Sequence, residues 1–259
     1  MPINFHDEQN GRSYATRLAD PDWQQILKRA MAGKTVERAA DIGCGGGIYS
    51  KAMAELGIPE VVAVDFSEAM LEGARSHCRD YKQIQFHLGN AEKSGLSAES
   101  FDFVMERALI HHLDDLSYCF QEAFRILKPG GILFVQDRTP PDCLLPGTNQ
   151  HIRGYFFEQF PHLAVLESNR RHMNEAVLAE LKAAGFAVAD NQQIWETREV
   201  YSRKEELLED IRSRNGRSIL HELADIELEE LTFYIDQKLR NAQAVFEKDR
   251  WTVWIGEKM

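Results

Sequence analysis

Residues 39–50 read AADIGCGGGIYS, with four glycines in the five positions 43–47, where an apolar run stops and a helical pattern starts. Glycine permits positive φ and leaves no Cβ in the way, so such a turn lets another molecule lie against the main chain. A strand ending at Ile42, a turn over 43–47 and a helix over about 48–57 make a strand-turn-helix unit with a ligand position at the helix N-terminus. Asp65 follows 22 residues after Gly43, at the end of the next apolar run, VVAVDF (61–66). A carboxylate there accepts from two vicinal hydroxyls at once, which is how doubly wound folds grip a ribose. The pyrophosphate fingerprint wants glycines at the first, third and sixth positions, and the sixth here is Ile48, so the match to a dinucleotide cradle is incomplete.

Working outward, short apolar runs alternate with helical stripes. Strands are expected at 36–42, 61–66, 84–89, 101–106 and 131–137, a sixth at 186–201 and a last one at 251–259. Between them, Ser67 is placed to cap a helix carrying Met70, Leu71, Ala74 and Cys78. Asp114 or Asp115 caps one carrying Leu116, Cys119, Phe120, Ala123 and Leu127, which KPGG stops, and Asn174 caps one that ends at Gly185. SRKE (202–205) reads as a capping box opening a polar helical stretch before the final strand. The fold class is therefore α/β: a doubly wound, mostly parallel seven-stranded sheet with helices on both faces, its last strand antiparallel, and a helical insertion before that strand. The organisation expected is a single domain over 1–259, with an N-terminal lid segment at about 1–33, a core at 34–137, a substrate-side insertion at 138–172 and a helical insertion at 202–250.

The formal net charge of −11 argues against a nucleic-acid partner, since phosphate backbones select basic faces. The one basic stretch, IRSRNGRS (211–218), reads as a solvated helix end and loop. No apolar run approaches the roughly 20 residues a spanning helix needs, and the N-terminus is polar, so no membrane role and a cytoplasmic location are expected. The four cysteines, Cys44, Cys78, Cys119 and Cys143, are dispersed without a CxxC pair, which leaves neither a disulfide framework nor a metal site in view.

AADIGCGGG, VVAVDFSEAML, FHLGNAE, FDFVMERALIHHL and RILKPGGILFVQD follow one another in order. Together they resemble the motif series of the class I S-adenosylmethionine-dependent methyltransferases, of the type acting on small molecules. The resemblance covers residues 36–137 strongly and the later strands more loosely. It implies S-adenosylmethionine as cofactor and S-adenosylhomocysteine as product, with Gly43, Cys44 and Gly45 beside the methionine part and Asp41 organising the turn. It further implies Asp65 on the ribose, Phe66 over adenine, and Ala91 offering its backbone N–H. Asn90 stands where the family has aspartate, and its carbonyl oxygen is expected to accept from the adenine amino group without the charge. Glu106 and Arg107 match positions near the methionine group. Tyr14, in the N-terminal segment, is the residue expected to close over the cofactor.

The catalytic residue stays open. His111 and His112 suit either packing and capping or proton acceptance from an acceptor hydroxyl, because a neutral imidazole is a competent base near neutral pH. Residues 138–172 form a connection far longer than usual, and its His151, Arg153 and Tyr155 are candidates for substrate contact, as well as for plain helix packing. The function expected is in-line transfer of a methyl group to a small-molecule acceptor. The alternatives are a non-catalytic S-adenosylmethionine-binding regulatory protein and, on a similar fold, a nicotinamide-dependent oxidoreductase.

Overall fold

The computed structural model describes residues 20–240 and 243–259. Its elements in chain order are α1 (Pro21–Ala30), β1 (Arg38–Ile42), α2 (Ile48–Glu55), β2 (Glu60–Asp65), α3 (Glu68–His77), β3 (Ile84–Leu88), β4 (Phe101–Arg107), α4 (Ser117–Ile126) and β5 (Leu127–Asp137). There follow α5 (Pro140–Cys143), α6 (Arg153–Gln159), α7 (Pro161–Asn169), α8 (Asn174–Ala183), β6 (Phe186–Tyr201), α9 (Lys204–Ser213), α10 (Asp225–Lys238) and β7 (Val245–Lys258). Single 3₁₀ turns sit at Ile110–His112 and Ser218–Glu222.

The seven strands form one sheet in the order β3-β2-β1-β4-β5-β7-β6. β1 to β5 pair in parallel, and β7 lies antiparallel on β5, with Phe134 opposite Ile255. Chain order reverses between β1 and β4, whose register sets Ile42 beside Glu106, and a doubly wound sheet opens a crevice at the strand ends of such a switch point.

By internal packing the chain divides into two compact units. One holds 20–137, His172–Gln193 and Thr252–Met259; the other holds Arg138–Arg171 and Ile194–Trp251. The sequence reading drew one domain carrying two insertions, and packing gathers most of both insertions into a unit of their own. In the first unit, Val62, Val64, Val104, Leu133 and Val135 pack against Phe120 and Ala123 of α4 and Val177 and Leu181 of α8. In the second, Ile152, Tyr155 and Phe156 join Leu207, Leu208 and Ile211 of α9 and Leu228, Leu231 and Ile235 of α10. Tyr155 is thus core, 7% exposed, with its ring edge-on to Tyr234.

Several boundaries differ from the sequence reading for identifiable reasons. Ser67 caps α3 as expected, accepting from Met70 N, and Asp115 Oδ1 accepts from Ser117 N at 2.8 Å to start α4. The helix ends at Ile126, just before KPGG as expected, but β5 already begins at Leu127 and not at 131, and a register shift between Phe101 and Phe103 absorbs the extra residues, with Gly130 at φ 76°. Asn174 is the first residue of α8, and its Oδ1 accepts from Trp254 Nε1 at 2.8 Å, which takes up the oxygen a cap would need. At α9 the box is shifted by one, since Ser202 and Arg203 are both bonded by Glu206, not Glu205. β7 starts at Val245, six residues before the expected 251. In the 211–218 stretch Arg217 is not solvated; it is 1% exposed and paired with Glu247 at 2.6 Å.

Candidate active site

The crevice at the switch point is built by three turns of the first unit. At the end of β1, Gly43, Gly45 and Gly47 take φ of 75°, 52° and 78°, values that a side chain disfavours. Gly43 N and Cys44 N both donate to Val64 O, at 2.8 and 2.9 Å, which ties the turn to β2. A Cβ at Gly45 would meet nothing within 4 Å, so the turn presents open space there. Gly47 is the N-cap of α2 in left-handed conformation, and a Cβ on it would lie 2.9 Å from Cys78 Sγ.

Asp65 ends β2 and anchors this turn. Its Oδ2 accepts from Gly45 N and its Oδ1 from Ser67 N, each at 2.9 Å. These bonds fix the orientation of the carboxylate at the end of β2. Beneath it, buried Asp41 accepts from Ser50 Oγ at 2.5 Å, and burial together with the neighbouring Asp65 charge raises its pKa to about 7. Phe66, next along the chain, is 53% exposed.

At the end of β4 the alternation of a strand sends neighbours to opposite faces. Glu106 goes into the apolar layer beside Cys119; it is 1% exposed, its Oε2 has no hydrogen-bond partner, and burial raises its pKa to about 7. Arg107 emerges on the other face, its guanidinium carbon 3.9 Å from the centre of the Tyr49 ring, which Trp23 meets edge-on at 4.6 Å. The chain then passes through Ala108 at φ 51°, a strained conformation for a residue with a Cβ, held by Ala108 N donating to Gln136 O at 2.9 Å.

That turn delivers the histidine pair. His111 Nδ1 is 2.8 Å from Asp137 Oδ2 and 3.1 Å from Oδ1, and His111 N donates to the same carboxylate at 3.2 Å. The His111 side chain is 10% exposed and that of Asp137 1%. A buried carboxylate at Nδ1 fixes the tautomer with the proton there, so Nε2 carries the basic lone pair. His112 lies against His111 with centroids 3.9 Å apart, and His172 Nε2 donates to Ile110 O and Leu113 O, closing the turn from the α8 side.

Comparison with known proteins fits this geometry. A family model described as a methyltransferase domain matches residues 40–135. A demethylmenaquinone methyltransferase of Clavibacter sepedonicus is 30% identical over 189 residues, covering 68% of this chain and 76% of that protein. The chain belongs to the class I S-adenosylmethionine-dependent methyltransferases. A ubiquinone biosynthesis O-methyltransferase of Histophilus somni is 33% identical over 133 residues, 49% of this chain and 56% of that protein. The match to two others of that name covers only 39% of their length. Among solved structures, a protein assigned as a methyltransferase from an antibiotic biosynthesis pathway of Anabaena variabilis superposes with a TM-score of 0.72 at 22% identity, over 92% of this chain and 98% of that one, which shows the fold.

Along this chain the residues expected at the cofactor have separate fates. Gly43, Gly45, Asp65, Phe66 and Arg107 stand at the carboxyl ends of β1, β2 and β4, with Gly45 open on its Cβ side and Asp65 accepting from its N–H, while Asp41 is buried and bonded to Ser50. Cys44 is 8% exposed and burial pushes its thiol well above its ordinary range, so it fills the turn and is no nucleophile. Asn90 Oδ1 already accepts from Glu92 N at 3.1 Å and Lys93 N at 2.7 Å, which engages both its lone pairs. The acceptor role expected of that oxygen is therefore replaced by a turn-forming one, and its amide NH₂ is the group available to a ligand. Ala91 is buried in the core, and Tyr14 lies outside the described residues. His151 and Arg153 belong to the second unit, 2% and 4% exposed. Sequence reasoning missed Asp137, whose signal was an acid at the very end of the fifth strand, and His172, for which the pattern held no signal at all.

Among the described residues no group of three or more His, Cys, Asp or Glu stands close enough to hold a metal ion, and no helix is long and apolar enough to cross a membrane.

Proposed function

We propose that this chain transfers a methyl group from S-adenosylmethionine to a small-molecule acceptor that loses a proton on methylation, with His111 as the base. The observation that carries the reading is the His111–Asp137 pair at the ends of β4 and β5, next to the glycine turn's own strand. Bound in the crevice, the cofactor supplies a methyl on a sulfonium, a leaving group that needs no metal. Asp65 holds the ribose, Phe66 covers the adenine, and the bare main chain of 43–45 accommodates the methionine part. Arg107, braced by Tyr49 and Trp23, offers a fixed guanidinium to the carboxylate of that part.

His111 accepts the acceptor's proton at Nε2 while Asp137 keeps the ring oriented and steadies the imidazolium that results. Holding acceptor and methyl at near-attack distance in line supplies on the order of 7 kcal/mol of the barrier. The names of the similar proteins from Histophilus somni and Clavibacter sepedonicus support ring compounds of quinone biosynthesis as the acceptor class to try first.

The test is formation of S-adenosylhomocysteine with a panel of ring hydroxyl acceptors, run with wild type, His111→Ala and His112→Ala. Turnover that falls about 100-fold in His111→Ala and only slightly in His112→Ala supports the assignment. Equal turnover in all three removes His111 as base, and S-adenosylmethionine binding with no turnover on any acceptor would favour a regulatory protein.

A further inference from the structure

His111 sits on a turn that does little to hold itself. Ile110–His112 is a single 3₁₀ turn, whose main-chain bonds run from His112 N to Leu109 O at 3.0 Å and from Leu113 N to Ile110 O at 3.1 Å. One turn fixes several dihedral angles for few hydrogen bonds, so it has little stability of its own. It also follows Ala108, which is held at φ 51°. The place of His111 is therefore set by the groups that grip the turn from outside.

Two residues of the first unit grip it from the two ends of one excursion of the chain. Asp137 is the last residue before the chain leaves that unit, and His172 is the first on its return. Asp137 accepts from the His111 main-chain N–H and from its Nδ1. His172 Nε2 stands 3.1 Å from Ile110 O and 2.8 Å from Leu113 O, the carbonyls on either side of the histidine pair. Carbonyl oxygens only accept, so Nε2 carries a proton whether or not Nδ1 does. The two grips differ in what they fix. Bonds to His111 set its ring angle but leave the turn free to pivot about that residue. A tie that spans Ile110 and Leu113 stops the pivot, and so fixes the depth at which the ring is presented.

We propose that His172 is a positioning residue for methyl transfer: acting through the 110–113 turn, it holds His111 Nε2 where it meets the acceptor's proton. This role rests on His111 being the base. His172 itself touches neither cofactor nor acceptor, and its effect reaches the reaction through the main chain of Ile110 and Leu113. General-base transfer requires hydrogen-bond reach to the proton, so a small displacement of the turn is felt in the chemical step and not in cofactor binding.

The experiment compares His172→Leu, which removes the donor, with His172→Gln, whose amide N–H has a similar reach. Proton NMR of the whole protein without acceptor follows the His111 Nδ1–H bonded to Asp137, assigned by its absence in His111→Ala. Turnover on the ring hydroxyl panel and calorimetric S-adenosylmethionine affinity are measured beside it. In His172→Leu the resonance should broaden through exchange with water and kcat fall roughly 10- to 100-fold, the cost of about 1 Å of misplacement, with cofactor affinity near wild type. His172→Gln should recover most of both, and His172→Leu should cost nothing further in a His111→Ala background. His172→Asn, polar but shorter, repeats the loss if the leucine variant does not fold. A merely structural histidine would lower the urea midpoint and leave the resonance and kcat of the folded protein unchanged. A resonance as sharp in folded His172→Leu as in wild type overturns the role of His172 and leaves His111 standing. Its loss with unchanged kcat removes His111 as base, and this role of His172 with it.

Discussion

Single residues carry the chemistry here through what holds them. In the proposed mechanism His111 serves as base with its tautomer fixed by Asp137, so Asp137→Asn is expected to cut turnover about 100-fold while leaving S-adenosylmethionine affinity near wild type. Turnover and calorimetric binding measured side by side check that split. Glu106 makes a prediction about stability instead. Its folded pKa of about 7 lies above the ordinary 4.5, so the fold favours the protonated acid. Between those values the unfolded chain binds fewer protons than the native one, and stability falls as pH rises through this window. The loss approaches about 3 kcal/mol above pH 7, the span of the two values converted at 1.36 kcal/mol each. Glu106→Gln should therefore be more stable than wild type at pH 8 and close to it at pH 4.5, by urea denaturation. Asp41, raised in the same sense, keeps some pH dependence in that variant. Asp65 was legible in the sequence because its place is set by spacing along one βαβ unit. Asp137 was not, since its partner is 26 residues away and comes to it only through a strained turn at Ala108.

At the scale of elements, the glycine turn and α2 are the most constrained pieces. Gly47→Ala combines a φ of 78° with a Cβ 2.9 Å from Cys78 Sγ and 3.1 Å from Ala74 Cβ. Left-handed strain and overpacking together predict a loss of about 3 kcal/mol, read as a lowered urea midpoint. Most strands and the amphipathic helices were legible, because period-2 and period-3.6 patterns report burial directly. Boundaries failed where a side chain answered to a partner far off in sequence. Asn174 gave its oxygen to Trp254, and KPGG became a bulge because β4 continued to pair across it.

For the whole molecule, the two units are made differently: a sheet-centred apolar core in one, and a helical core crossed by buried ion pairs in the other. Nothing in a linear pattern says that Arg217 will find Glu247 30 residues on, which is why a solvated loop was expected there. Glu247→Gln should cost about 3 kcal/mol by removing the buried one of the two carboxylates paired with Arg217 and leaving only Asp210, and Arg217→Met combined with Glu247→Leu should recover part of it, by thermal unfolding. The central claim, that the crevice at the β1/β4 switch point is a cradle for S-adenosylmethionine, is tested most directly by calorimetric titration of wild type and Asp65→Asn with S-adenosylmethionine and with NADH. Asn keeps one oxygen to accept from backbone while losing the charge that grips a diol, so S-adenosylmethionine affinity should fall roughly 10- to 100-fold with the fold intact. NADH should not bind either protein. Unchanged S-adenosylmethionine affinity in a folded Asp65→Asn variant, or NADH binding in its place, contradicts the account.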